Sequence, residues 1–291
     1  MFQLISDGCC DFESDEILEH DIGLVPFYIT FDDKVFLKEG IDITKEEFFD
    51  KIVSNKNLFA KTSQPNPEDY INTYKPYLEK GYDILCLTIS SKVSGSYNSA
   101  TIAADMLKEE FPDRKIITID SLNGCIGQGL ILREMIAMRN DKMSMDEIAE
   151  KTGKIIPTAK IYITLDTLDY LKKGGRVGPT TALVGGVLGL KPVLHVVDGV
   201  IEQLDSIRGK QRIINLLVEG VKEALQGQET TMNISVAHID RYDETVTFKN
   251  RIEEALGISI DNPITKIGAT IGTHVGPKAL AVSYCKKYSA V

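Results

Sequence analysis

Short apolar segments alternate with amphipathic helical patterns along the first half of the chain, and this alternation constrains the fold more than any other feature. Residues 2–7, 82–89 and 115–119 have the composition of buried strands. Thr44 and Glu47 form a capping box, which predicts the start of a helix. Strands that alternate with helices build a mostly parallel sheet covered on both faces, so we expect a three-layer α/β/α unit.

The pattern changes after residue 157, where Asp198-Gly199 separates two apolar segments as in a type I′ hairpin. A hairpin pairs its strands antiparallel, so we expect an α/β unit with a mixed sheet. The expected domains are therefore residues 1–157 and residues 158–291. The elements expected in the second domain are strands at 161–165, 192–197, 200–204, 232–238 and 264–271, helices at 208–225 and 244–256, and a closing helix from Pro277 onward.

Composition narrows the possible partners. The chain has 291 residues and a net charge of −9, so it can form two packed domains but is too acidic for an electrostatic nucleic-acid binder. The same charge argues against an anionic membrane surface as the main partner. We find no secretory or membrane-spanning segment, and five scattered cysteines are typical of reduced thiols, so we expect a cytoplasmic protein. We interpret adjacent Cys9 and Cys10 as small buried residues, with a redox pair as the less favoured alternative.

Several catalytic sequence patterns are absent. The sequence has no P-loop, no G-x-S-x-G nucleophile elbow, no H-E-x-x-H and no C-x-x-C. Gly124, Gly127 and Gly129 follow a predicted strand, but their spacing differs from the dinucleotide fingerprint. We interpret these glycines as close packing between a helix and a strand, and we expect neither a metal nor a cofactor.

Hydroxyl-rich loops follow or adjoin the predicted elements of the first half. They are Ser6-Asp7, residues 61–65, residues 90–96 and Asp120-Ser121. An open parallel sheet binds ligands at the carboxyl ends of its strands, where hydroxyls and helix N-terminal N–H groups accept an anion. A single serine or threonine is most often a helix cap, but several such loops at one edge predict a site for a carboxylate or a phosphate.

Two further segments carry ionisable groups. His274 follows the predicted strand at 264–271 in a predicted loop, where an imidazole can bind an anion or relay a proton. Arg176 follows the Gly174-Gly175 pair, which predicts the end of a short helix. The same glycines are also consistent with the presentation of Arg176 to an anionic head group or to a partner.

Taken in order, these residues resemble the DegV family, and the resemblance extends from residue 6 to residue 277. Each segment alone is weakly specific, whereas the ordered set is highly specific. The matching segments are Ser6-Asp7, 62–67, 89–100, Asp120-Ser121, 127–129, 165–178, Lys191-Pro192 and 272–277.

The resemblance implies a two-domain α/β monomer that binds a long-chain fatty acid, with the acyl chain in an apolar tunnel of the second domain. It also implies a partner, because the family includes the binding subunits of bacterial fatty acid kinase, in which a separate ATP-dependent subunit forms acyl phosphate. The chain would then be a lipid-binding carrier in phospholipid metabolism and not itself an enzyme. The residues that the resemblance assigns to the ligand are Thr62, Ser63, Ser94, Gly95, Arg176 and His274.

Elementary energetics agree with this implication. About sixteen CH₂ groups need cover, each worth roughly 0.8 kcal/mol when removed from water, whereas one carboxylate needs few polar partners. Residues 181–190 are glycine-rich and apolar, which makes them a candidate tunnel wall, with core packing of a small-residue helix as an equal alternative. The family often has serine where this chain has Gly8 and Cys125. The resemblance therefore does not determine which hydrogen bonds the first loop makes to the head group.

Two other functions stay open from the sequence. One is a lipid hydrolase or acyltransferase with Ser94 as the nucleophile and His274 as the base, although the sequence identifies no acid to orient the histidine. The other is a binding module for a different small anion, such as a sugar phosphate.

Overall fold

The computed structural model describes residues 1–55, 58–176 and 190–291, and the elements named here are those of the described residues. The strands are β1 (Phe2–Asp7), β2 (Ile22–Val25), β3 (Tyr28–Thr30), β4 (Leu37–Lys38), β5 (Lys61–Ser63), β6 (Asp83–Thr88), β7 (Ile116–Asp120), β8 (Lys160–Leu165), β9 (Leu190–Val197), β10 (Val200–Arg208), β11 (Met232–Ile239), β12 (Thr265–Lys266) and β13 (Ala279–Lys286). The helices are α1 (Ser14–Glu19), α2 (Lys45–Ser54), α3 (Pro67–Glu79), α4 (Ser96–Glu110), α5 (Cys125–Asn140), α6 (Met145–Ile155), α7 (Asp169–Gly174), α8 (Lys210–Leu225), α9 (Tyr242–Leu256) and α10 (Ala269–Val275).

The first sheet is parallel, with the strand order β2-β1-β6-β7. Helices α3 and α4 cover one face, where Tyr70 and Leu107 pack in one cluster with Ile5 of β1. Helices α5 and α6 cover the other face, where Leu130 packs in a cluster with Leu85 of β6. Because helices cover both faces of the sheet, β1 and β6 are buried at every position except their first residue, which is half-buried. The expected three-layer α/β/α arrangement is confirmed.

The second sheet is mixed, with the strand order β10-β9-β8-β13-β11-β12. Its pairs are antiparallel except that β11 and β12 run parallel. Asp198 and Gly199 turn the β9–β10 hairpin with φ of 49° and 84°, the two positive angles that a type I′ turn requires. Helices α8 and α9 cover one face, where Ile213 and Phe248 pack in a cluster with Val193. The expected mixed sheet is confirmed.

The prediction of a strand over residues 264–271 was wrong for most of that range. Only the two residues of β12 form a strand, and α10 begins three residues after it. Three consecutive amides beginning at Gly268 donate to the carboxylates of Asp11 and Glu39, which come from distant parts of the chain. These carboxylates satisfy the N–H groups that a helix start leaves free, so a helix forms where β-branched residues predict a strand.

The predicted closing helix from Pro277 onward was also wrong. These residues form β13, which lies inside the mixed sheet between β8 and β11. A short continuous apolar run does not distinguish a buried strand from a buried helix, and here pairing on both edges decides. As a consequence, His274 lies in the last turn of α10 and not in a loop before a helix.

A small antiparallel sheet with the order β4-β3-β5 was not predicted from the sequence. It places Thr62 of β5 opposite Ile29 of β3, beside α10. A core cluster joins Ile29 to Phe48 of α2 and to Ile163 and Leu194 of the mixed sheet. The site lies along this cluster. Within the described ranges, no helix is long and apolar enough to span a bilayer.

Candidate functional site

A cavity opens where β5, α10 and the loop between β6 and α4 meet, and we name it the polar cavity. It encloses about 500 Å³, part of which is open to solvent. The polar side chains that line it are Thr62, Gln64, Ser94, Arg176, Thr270 and His274. The structure therefore brings together four of the six predicted site residues, from four separate segments of the chain.

A second cavity, which we name the apolar cavity, adjoins the first. It is lined by Ile161, Ile163, Leu171 and Leu194 among other apolar side chains. The side chains that line both cavities are Ile89, Val93, Ile201, Ile271 and Val275. The two cavities thus share one apolar wall, and together they have one polar end.

His274 and Thr62 form a hydrogen bond at this polar end. Nε2 of the imidazole lies 2.8 Å from Oγ1 of Thr62, and Nδ1 is buried with no partner in the described part of the chain. Burial, with a smaller contribution from nearby Arg176, lowers the pKa of His274 to about 4, so the ring is neutral near pH 7. Because buried N–H groups rarely lack a partner, we assign the proton to Nε2. Nε2–H then donates to Thr62, whose own hydroxyl hydrogen stays available to a ligand.

Ser94 lies in the loop before α4, and the buried carboxylate of Asp7 holds this loop in place. Asp7 accepts from the amide of Ile89 at 2.9 Å and from the hydroxyl of Ser96 at 2.8 Å. Oγ of Ser94 accepts from the amide of Ser96 at 3.2 Å, so its hydrogen is also free for a ligand. Asp7 accepts further bonds from Gln128 and from the amide of Cys9. The Ser6-Asp7 motif therefore supports the site from below and does not line it.

The predicted residues Gly95 and Ser63 lie beside the polar cavity but do not line it. The amide of Gly95 donates to Oε1 of Gln64 at 2.6 Å, and a Cβ at Gly95 would lie only 2.4 Å from that side chain. Ser63 follows Thr62 on β5, so its side chain points to the opposite face of the strand. Glycine at position 95 thus lets Gln64 connect β5 to the start of α4.

Arg176 lies exposed at the mouth of the polar cavity. Its Nη1 donates to the carbonyl of Gly174 at 2.5 Å, and its Nε lies 3.4 Å from the carbonyl of Val93. Gly175 ends α7 with φ of 67°, which confirms the predicted glycine-capped helix. A Cβ at Gly174 would lie 2.2 Å from Nδ1 of His274, so the lack of a side chain there lets α7 pack against α10.

Other sequence predictions also have a place in the structure. Gly129 of α5 packs closely against the backbone, since a Cβ there would lie 2.6 Å from the carbonyl of Cys10. Cys10 lies in the short turn after β1, so this close contact is made to a turn, whereas we expected packing against a strand. Asp120 accepts from the amide of Ser91 at 3.1 Å and so supports the loop that carries Ser94. The five cysteines are buried free thiols. The candidate tunnel wall at residues 181–190 lies outside the described residues except for Leu190.

Sequence reasoning missed Thr270 and the two carboxylates that hold α10. Thr270 lies four residues before His274, a spacing that would have placed both on one helix face. That signal was hidden because the segment was read as a strand. In the part of the chain that the structure describes, no group of three His, Cys, Asp or Glu side chains could hold a metal ion.

The fold and the site define an α/β protein in which a cavity lined by polar side chains adjoins an apolar one. The model of the DegV family, described as uncharacterised proteins, matches residues 1–287. The chain belongs to the DegV family. A DegV domain-containing protein of Clostridium acetobutylicum is 31% identical over 287 residues, covering 98% of this chain and 99% of the relative.

Solved structures of relatives have the same fold. A protein of Eubacterium ventriosum described as stearic acid-binding superposes with a TM-score of 0.95, at 31% identity and with 100% of both chains covered. A DegV family protein of Thermus thermophilus, described by its fatty acid binding, superposes with a TM-score of 0.88 at 25% identity, covering 98% of this chain and 99% of that one.

Proposed function

We propose that this protein binds a long-chain fatty acid, with the carboxylate in the polar cavity and the acyl chain in the apolar cavity. The observation that carries the proposal is the apolar wall that the two cavities share, formed by Ile89, Ile271 and three neighbouring side chains. The relatives from E. ventriosum and T. thermophilus, both described as fatty-acid-binding, support it.

The two ends of such a ligand have different tasks. Each buried CH₂ group contributes about 0.8 kcal/mol, so the acyl chain supplies most of the affinity. A hydrogen bond to a charged group contributes about 1.5–3 kcal/mol, so the hydroxyls of Thr62 and Ser94 mainly orient the carboxylate. Because His274 is neutral near pH 7, these groups hold the carboxylate without a full ion pair.

We further propose that the protein is a cytoplasmic monomer that presents this carboxylate to an ATP-dependent kinase subunit. In that reaction a carboxylate oxygen bonds to the γ-phosphorus of ATP while the bond to the bridging oxygen breaks and ADP leaves, which yields acyl phosphate. A carboxylate held by hydroxyls keeps an oxygen available for this attack. The exposed cations Lys172, Lys173 and Arg176 beside the mouth would suit an acidic partner surface.

The geometry does not favour an esterase. Nε2 of His274 is bonded to Thr62 and not to Ser94, and no acid orients Nδ1 among the described residues. A hydrolase of the serine type needs the histidine base on the nucleophile and an acid behind it. Release of product from an acyl ester by the purified chain alone would overturn the carrier proposal.

The deciding experiment begins with mass spectrometry of an organic extract of the purified protein. We expect a co-purified long-chain fatty acid, or saturable binding of hexadecanoate after delipidation. If neither is observed, the fatty-acid proposal fails, and a sugar phosphate that binds in its place would favour the alternative of a different anion.

Substitution of Thr62 then tests the polar end. Thr62→Val keeps the shape of the side chain and removes the hydroxyl, so we expect hexadecanoate affinity to fall about tenfold, as for one charged hydrogen bond. Ser63→Ala in the same strand is the matched control and should leave affinity unchanged. Equal titration curves for Thr62→Val and the wild type would exclude Thr62 from the carboxylate site.

A further inference from the structure

Thr270 lines the polar cavity, and its hydroxyl makes no hydrogen bond to the described residues. The residue is only 4% exposed, and its Oγ1 has no hydrogen-bond partner over the described ranges. A buried hydroxyl without a hydrogen-bond partner has lost its hydrogen bonds to water without replacing them, which costs free energy. Such an arrangement in a cavity wall is expected where a ligand supplies the missing partner.

The usual local partner of a helical threonine is not available to Thr270. Thr273 in the same helix bonds the carbonyl four residues earlier, with Oγ1 2.9 Å from the oxygen of Ala269. For Thr270 the residue four positions earlier is Lys266, which lies in β12 and not in the helix, because α10 begins only at Ala269. The hydroxyl of Thr270 therefore lacks the partner that a threonine deeper in a helix finds, and it has no other among the described residues.

The backbone holds Thr270 in a fixed position beside the predicted head-group residues. Its amide donates to Oε2 of Glu39 at 2.9 Å, which anchors the first turn of α10. Thr270 and His274 are four residues apart and so share one face of the helix. Helical side chains lean towards the N-terminus, which brings the imidazole of His274, and Thr62 bonded to it, back over the turn of Thr270.

We propose that Thr270 is a further ligand-binding residue, whose hydroxyl donates to the carboxylate of the bound ligand. Hydroxyls would then approach the carboxylate from three elements: Thr62 from β5, Ser94 from the loop before α4, and Thr270 from α10. An ionised carboxylate offers about four lone-pair sites, so a third donor has a free acceptor. This assignment rests on the proposed fatty-acid binding and extends it to a residue of α10.

The test compares two substitutions and two ligands. Thr270→Val removes the hydroxyl at nearly constant volume, and Thr270→Ser keeps it. Affinities are measured by calorimetry for hexadecanoate and for hexadecan-1-ol, which has the same chain without a carboxylate. We expect Thr270→Val to lose about tenfold in affinity for the acid and to bind the alcohol like the wild type, whereas Thr270→Ser keeps its affinity for both.

A stability measurement adds an independent readout. Because valine removes an unpartnered buried hydroxyl, the ligand-free Thr270→Val protein should melt at a higher temperature than the wild type. A residue that only supports the fold would instead lower both the melting temperature and the affinity. A gain in stability together with a loss in acid affinity is therefore specific to a ligand-binding hydroxyl.

The possible failures are distinguishable. Unchanged acid affinity in Thr270→Val, or an equal loss for acid and alcohol, overturns the assignment of Thr270 while fatty-acid binding stands. Failure of the wild type to bind either ligand overturns the proposed function itself. If the valine variant does not fold, Thr270→Ala in the same two-ligand comparison decides between these outcomes.

Discussion

The loop before α4 and helix α10 both bring polar groups to the same cavity, and buried carboxylates hold both, but the carboxylates differ in how fully they are bonded. Asp7, below the loop, accepts from two amides, the hydroxyl of Ser96 and the side chain of Gln128. Asp11, below α10, accepts from the amide of Gly268 at 3.0 Å, and its Oδ2 has no partner in the described part of the chain.

The difference shows that two supports of one site can respond differently to pH. Burial is the main cause that raises the pKa of both carboxyls, but Asp7 has four donors that oppose it. For Asp11, burial raises the pKa to about 7 even though nearby Lys45, the Cys125 thiol and the amide of Gly268 lower it. Asp11, which supports α10, therefore changes its charge near neutral pH.

Removal of the carboxylate of Asp7 should have the largest effect. Asp7→Ala leaves the buried amides of Cys9 and Ile89 without an acceptor, each costing about 1–3 kcal/mol, and removes one of the bonds of Ser96 and Gln128, so we expect a loss of about 4 kcal/mol or more in the free energy of unfolding. Urea denaturation at pH 7 measures it. The exposed Asp42, which also accepts a backbone amide, provides the control Asp42→Ala, with a loss below about 1 kcal/mol. Similar losses in the two variants would show that Asp7 contributes no more to stability than an exposed carboxylate does.

Asp11→Asn should change the pH dependence of stability. The folded-state pKa of about 7 is above the ordinary 3.8, so the folded protein binds the proton more tightly and wild-type stability falls as pH rises through this window. Asparagine cannot ionise and can still accept from Gly268. We expect the variant to be more stable than the wild type by up to about 4 kcal/mol at pH 8, with little difference at pH 4.

Denaturation curves of both proteins at the two pH values provide the measurement. His274 acts in the opposite direction, because its pKa is lowered to about 4 and its contribution is lost as pH falls below its ordinary 6.5. Both proteins retain His274, so their difference isolates Asp11. A difference that is the same at pH 4 and pH 8 would show that Asp11 is not the titrating group.

Glu39→Gln should have the smallest effect and should act on binding. Glu39 accepts from the amides of Ala269 and Thr270, and glutamine can accept only one of these bonds without a donor facing a donor. We expect a loss of about 1 kcal/mol in stability and about fivefold in hexadecanoate affinity. Ser144→Ala removes a comparable cap from α6, away from the site, so it should lower stability alone. An equal loss of affinity in that control would mean that Glu39 has no specific effect on the site.

Much of the fold could be predicted because its signals are local. The capping box at Thr44 and the turn at Asp198-Gly199 appear in the structure as predicted. The two errors lie in α10 and β13, where local signals are weak. The carboxylates of Asp11 and Glu39 accept hydrogen bonds from the first amides of α10, and β13 pairs with β8 on one edge and β11 on the other. Distant parts of the chain therefore decide both elements.

By itself, the sequence determined the fold class, the family and the residue types available at the site, because periodicity, capping and motif order depend on near neighbours. Only the tertiary structure decided the chemical state of those residues. Thr62 and His274, 212 positions apart, meet at 2.8 Å, and burial keeps the imidazole neutral. The free hydroxyl of Thr270 and the raised pKa of Asp11 have the same origin, since hydrogen-bond partners and desolvation depend on segments that come together only when the chain folds.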